Sequence, residues 1–170
     1  MWCMATGADA YVDTSALIAF TDGSDSHHPL FRRLFSEPPA LVTTTLVVAE
    51  GHGWFLRRYD RTRALQFLAM IEAMTPLRVL AVGPEEQAAG VHLLRRFSNQ
   101  DLTMTDAVGL HVSTAHHVRT VWSTDFHLGL TGVPLVIGRG SDPPLPIQRS
   151  SHQAAERSAS SAKSAATLRA

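Results

Sequence analysis

The sequence predicts an α/β fold: a three-layer α/β/α sandwich around a mainly parallel central sheet. Three observations carry that reading. Short apolar and β-branched runs alternate with longer stretches of helical apolar spacing. Turn formers and prolines separate the two kinds of segment. The chain has 170 residues, 45% of them hydrophobic, enough for one domain with a substantial core.

The elements follow in order. Ala10-Tyr11-Val12 is a short apolar run and reads as a buried strand. Asp13, Thr14 and Ser15 can each cap a helix, and 16–20 suits a short one, closed by Asp22-Gly23-Ser24. A second helix spans 27–35, with Leu30, Leu34 and Phe35 at helical spacing, and Pro38-Pro39 stops the chain after it. Residues 40–43 read as a strand. Thr44 or Thr45 caps a helix running to about Tyr59.

Ala64, Leu65, Leu68, Ile71 and Met74 form the stripe of another helix, and 77–80 is a strand after Pro76. Pro84 opens a helix to about Phe97, with Glu85 and Glu86 in its first turn. Thr103 or Thr105 caps a helix over 106–117. Residues 118–123 and 133–137 read as the last two strands.

Residues 1–8 read as a lead-in, with Met4 an alternative start, and 9–138 as the folded domain. Residues 139–170 are rich in Ser, Ala and Pro and read as a flexible tail. Formal net charge is zero, from 15 basic and 15 acidic residues. That excludes a chain bound to nucleic acid by overall basicity. Lys163, in the tail, is the only lysine, which removes mechanisms needing one in the domain. The only cysteine, Cys3, permits no intrachain disulfide. There is no signal-peptide pattern and no stretch near the ~20 apolar residues of a membrane span. A soluble, cytoplasmic protein is expected.

Four acids stand out by position. Asp13 and Asp125 follow predicted strands, at the carboxyl edge where parallel sheets bind ligands. Asp106 lies in the first turn of a helix, one residue after Thr105. Glu50 closes Leu46-Val47-Val48-Ala49 on a helix face expected to be buried. An unpartnered charge there costs several kcal/mol, about what a dry ion demands, so an Arg or a divalent cation is required. Taken singly, Asp13 is a helix cap, Asp106 a dipole complement, Asp125 a turn residue and Glu50 an exposed side chain. Together they suggest one site. None of the nine histidines falls in a zinc-type spacing.

The motifs resemble those of PIN domains. Val12-Asp13-Thr14-Ser15-Ala16-Leu17 is similar to the family's opening motif. Thr45-Leu46-Val47-Val48-Ala49-Glu50 is similar to the second, and Leu102-Thr103-Met104-Thr105-Asp106-Ala107 to the third. Ser123-Thr124-Asp125-Phe126-His127-Leu128 is similar to the fourth, with Leu128 where relatives often carry Phe. Within the family the pattern looks like that of VapC toxins.

The resemblance implies an endoribonuclease using Mg²⁺ or Mn²⁺, with Asp13, Glu50, Asp106 and Asp125 as catalytic residues. Asp13 and Asp106 would be metal ligands, Asp125 and Glu50 further ligands or water acceptors, and Ser15 and Ser123 supports. It also implies an RNA substrate, a 5′-phosphate product, a cognate antitoxin and a homodimer.

Three other readings compete. A haloacid-dehalogenase-like phosphatase needs a second Asp where Ser15 stands, and a response-regulator receiver needs a core Lys. A noncatalytic PIN-like module that binds proteins has no need of the acids. Arg32-Arg33, Arg57-Arg58 and Arg95-Arg96 are candidate phosphate contacts.

Overall fold

The computed structural model describes residues 7–137. Cys3, Lys163, most of the expected lead-in and the expected tail lie outside the described residues. Four strands and six α-helices are present among those described: β1 Ala10–Val12, α1 Thr14–Thr21, α2 His28–Leu34, β2 Leu41–Thr44, α3 Thr45–Arg58, α4 Arg61–Ala73, β3 Leu77–Leu80, α5 Pro84–Arg96, α6 Met104–Ala115 and β4 Thr120–Trp122. A short 3₁₀ turn, Phe126–Gly129, follows β4.

The strands form one parallel sheet in the order β3-β2-β1-β4. Every residue of β1 and β2 is buried, so both faces of the sheet centre are covered, as an all-parallel sheet requires. The strands Ala10-Tyr11-Val12 and Leu41-Val42-Thr43-Thr44 are therefore continuous apolar or β-branched runs rather than alternating ones. β3 is the edge strand and is half exposed.

Several expectations need correction. The expected strand at 133–137 reduces to one bridge, between Leu135 and Val121. The Val121 N–H donates to the Pro134 carbonyl at 2.8 Å, and the Val136 N–H donates back to the Val121 carbonyl at 2.9 Å. Pro134 has no N–H to extend the ladder. Helix α6 begins at Met104, capped by Thr103 rather than Thr105, and ends at Ala115. His117 then takes a left-handed backbone, φ +50°, which turns the chain toward β4. That strand is shorter than the 118–123 expected. Helix α4 starts three residues before the stripe at Ala64, because the Asp60 side chain accepts the Arg63 N–H at 2.8 Å.

Helices α3 and α4 pack closely. A Cβ at Gly51 would run into the Phe67 ring, so the glycine lets the two backbones approach. No helix among the described residues is long and apolar enough to cross a membrane.

Candidate metal centre at the carboxyl edge of the sheet

The chain lays down β1, β2 and β3 outward in one direction, then crosses back to set β4 on the other side of β1. The order reverses between β1 and β4, and the crevice at such a reversal, beyond the carboxyl ends of the strands, is where open α/β sheets bind ligands. Asp13 stands there directly after β1, and Ser123 directly after β4. The Asp13 N–H is held by the Trp122 carbonyl at 3.0 Å.

Asp13 is the N-cap of α1 and only 4% exposed. Its Oδ2 accepts hydrogen bonds from the Ser15 hydroxyl at 2.6 Å, the Ser123 hydroxyl at 2.9 Å and the Ser15 N–H at 3.2 Å. Ser15 and Ser123 are themselves 3.0 Å apart, and the Ser15 hydroxyl accepts the Thr124 N–H at 2.9 Å. The two serines expected to support the site thus hold Asp13 from the first turn of α1 and from the end of β4. Burial nevertheless pushes the Asp13 carboxyl above the usual range, against the pull of those hydroxyls.

Glu50 lies midway along α3, half buried. Its Oε2 accepts the Thr14 hydroxyl at 2.5 Å. Its carboxyl is also pushed up, first by burial and then by the charges of Asp13 and Asp106, opposed by Thr14 and Arg57. Three of the four expected acids therefore share one electrostatic neighbourhood.

Asp106 is the third residue of α6 and closes a capping box: its Oδ2 accepts the Thr103 N–H at 2.7 Å and the Thr103 hydroxyl at 2.8 Å. The structural role considered for it at the helix start is therefore present. Asp125 is joined to the site through its backbone, whose N–H donates to the Ser123 hydroxyl at 2.9 Å. Its Oδ1 faces His127, 2.9 Å from the N–H and 2.8 Å from Nδ1.

Thr14, which bonds Glu50, stands outside the candidate set the sequence suggests, whereas His127 is suggested there as an RNA contact by its place beside Asp125. Thr14 had a signal, since it sits inside the first motif.

Among the described residues no three His, Cys, Asp or Glu side chains stand together as a ready coordination shell. The donor set nonetheless fits a hard divalent cation in kind. It is all oxygen, which suits Mg²⁺ or Mn²⁺. None of Asp13, Glu50 and Asp106 forms an ion pair among the described residues. Among the described residues, the hydrogen bonds of each of the four acids fall on one carboxylate oxygen. Burial pushes the carboxyls of both Asp13 and Glu50 upward, with the charges of Asp13 and Asp106 adding to the push at Glu50, and a cation would oppose it.

The sequence matches the PIN domain family over residues 10–131. The chain belongs to the PIN-domain family. Among solved structures it is similar to VapC20 of Mycobacterium tuberculosis, described as a Sarcin-Ricin loop cleaving toxin. The two are 23% identical, with 73% of this chain and 95% of that one covered and a TM-score of 0.67. It is also similar to a toxin–antitoxin complex from Klebsiella pneumoniae. There identity is 17%, coverage is 75% of this chain and 95% of that one, and the TM-score is 0.52. At these identities the likeness carries the fold alone. No curated protein matches the chain significantly.

Proposed function

We propose that this PIN-domain chain is a divalent-metal-dependent endoribonuclease and the toxin of a toxin–antitoxin pair. One observation carries the reading. Asp13 is a nearly sealed carboxylate at the sheet's switch point, served by hydroxyls and amides but by no cation, with the charges of Glu50 and Asp106 bearing on the same space. A buried acid so placed destabilises the fold unless a cation completes it.

Asp13 and Asp106 would hold Mg²⁺ or Mn²⁺, with Asp125 and Glu50 as further ligands or as acceptors that orient its waters. When bound, the ion supplies a water activated as nucleophile and neutralises charge on the scissile phosphate. The chain's own residues do the rest. Ser15 and Ser123 fix the Asp13 carboxylate, and Thr14 fixes Glu50. Asp125 anchors the turn after β4 through Ser123. Arg57, whose charge reaches Glu50 from the last turn of α3, offers a phosphate contact at the rim.

An antitoxin and a second copy of the chain are the proposed protein partners. Support comes from the family and from the VapC20 and Klebsiella likenesses.

The noncatalytic module has one observation in its favour: the carboxylates are turned toward their own hydroxyl and backbone donors. A cleavage assay separates the two. Wild-type protein should cut structured RNA with Mg²⁺ or Mn²⁺ and stop in EDTA, while Asp13→Asn and Asp106→Asn proteins should be inactive. Cleavage at wild-type rate by both variants would remove the site. Absence of cleavage and of Mn²⁺ binding by the wild type would favour the module.

A further inference from the structure

The strand beneath the acids carries a polar atom that the fold itself does not use. Tyr11 is wholly buried in β1, and its hydroxyl has no hydrogen-bond partner among the described residues. The Thr44 hydroxyl weighs on the phenol from nearby without reaching hydrogen-bond geometry. A Phe would fill the same space without burying an unsatisfied group, and a buried unmade hydrogen bond is costly.

The surroundings say where this hydroxyl is aimed. Tyr11 and Asp13 are two residues apart in extended chain, so both side chains leave the same face of the sheet. A Cβ at Gly109 would come within 2.8 Å of the Tyr11 hydroxyl and 3.1 Å of its ring. Gly109 is three residues beyond Asp106 on α6, and such residues share a helix face. The hydroxyl therefore lies under the Asp106 face of α6. A phenol is protonated at neutral pH, so this hydroxyl has a proton to donate.

We propose that Tyr11 is a positioning residue of the ion site, its buried hydroxyl donating from below to the oxygen shell that Asp13, Glu50 and Asp106 assemble around a divalent cation. The inference rests on the metal-dependent reading. It adds that the absence of a β-carbon at Gly109 is what lets the phenol reach its place.

The test compares wild type, Tyr11→Phe and Gly109→Ala, by urea unfolding in EDTA and by calorimetric titration with Mn²⁺. In EDTA, Tyr11→Phe should unfold at the wild-type urea midpoint or above it, because it loses an unsatisfied group. Its Mn²⁺ affinity should fall about 10-fold or more, the scale of a lost outer-shell partner. Gly109→Ala keeps the hydroxyl but displaces it, and should weaken Mn²⁺ binding too. Adding Tyr11→Phe to Gly109→Ala should recover urea stability, since the nearest atom in the clash is the hydroxyl itself.

Wild-type Mn²⁺ affinity in a folded Tyr11→Phe protein would overturn the inference. So would a lowered urea midpoint in EDTA, which would place the hydroxyl in a bond within the fold. A wild type that binds no Mn²⁺ at all would overturn the metal reading beneath it, a different result from binding retained by Tyr11→Phe.

Discussion

Asp9 and Asp13 flank the same three-residue strand, yet they sit in opposite chemical worlds. Asp9, at the amino end of β1, is part exposed and 3.5 Å from the Arg119 guanidinium, beside Arg78, His116 and His117 in an open cleft of about 550 Å³. Asp13, at the carboxyl end, is buried among serines with Glu50 and Asp106 nearby and no ion pair. A carboxylate that meets an arginine in water has its partner already. One that meets only hydroxyls and other acids is short of a positive charge. The amino edge of the sheet is thus solvated surface with its charges paired, and the carboxyl edge is where the proposed cation would sit.

The comparison predicts its largest effect at its two poles. Asp13→Asn should lower RNA cleavage by more than about 100-fold, beyond what loss of an outer-shell partner costs. In EDTA it should leave urea stability equal to the wild type's or higher. Asp9→Asn should change neither. An equal loss from both substitutions would erase the distinction.

Next in size is the clamp. Ser123→Ala removes the hydroxyl that ties Asp13 to the Asp125 turn across the β1–β4 switch point. Cleavage should fall about 10–100-fold, with affinity for RNA little changed, as measured by filter binding in Ca²⁺. Weakened RNA binding with an unaltered cleavage step would assign the serine to the substrate instead.

The two edges should also differ in their response to pH. The folded-state carboxyls of Asp13 and Glu50 are raised above their unfolded values, chiefly by burial. The stability they lend is complete below about pH 4 and is lost as pH climbs through the raised folded values. Metal-free protein should therefore lose urea stability as pH rises above about 4. Asp13→Asn or saturating Mn²⁺ should flatten that slope. A wild-type slope in Asp13→Asn would show that the buried acid is not its source.

The smallest effect belongs to the amino edge. Arg119→Ala breaks an ion pair whose guanidinium is 85% exposed. Thermal unfolding should place it within about 0.5 kcal/mol of wild type, and cleavage should be unaltered.

Sequence reasoning reached the fold because the determinants of each element are local. The buried runs at Ala10-Tyr11-Val12 and Leu41-Val42-Thr43 and the Pro84 helix start are visible within a few residues, whereas the α4 stripe is right at Ala64 and Ile71 but includes the exposed Leu65 and leaves out the buried Phe67. The acids were legible because each stands at a strand end or on a helix whose apolar pattern is plain. What tertiary packing decides was not legible. Thr14 and Glu50 are 36 positions apart and meet only because α1 and α3 pack together. The Asp125 carboxylate turns back to His127 through a 3₁₀ turn with no apolar signature. Residues 133–137 have the composition of a strand, yet one proline leaves them a single bridge. The unpartnered Tyr11 hydroxyl follows from no pattern at all, since in sequence it is one more residue of a buried strand.

The most direct test is to locate the ion. Crystals of the wild-type protein grown with Mn²⁺ should show anomalous density beside Asp13, within reach of the other acids, and none in Asp13→Asn crystals. Density at the Asp9–Arg119 edge instead, or none near Asp13 in protein that cleaves RNA with Mn²⁺, would contradict the account.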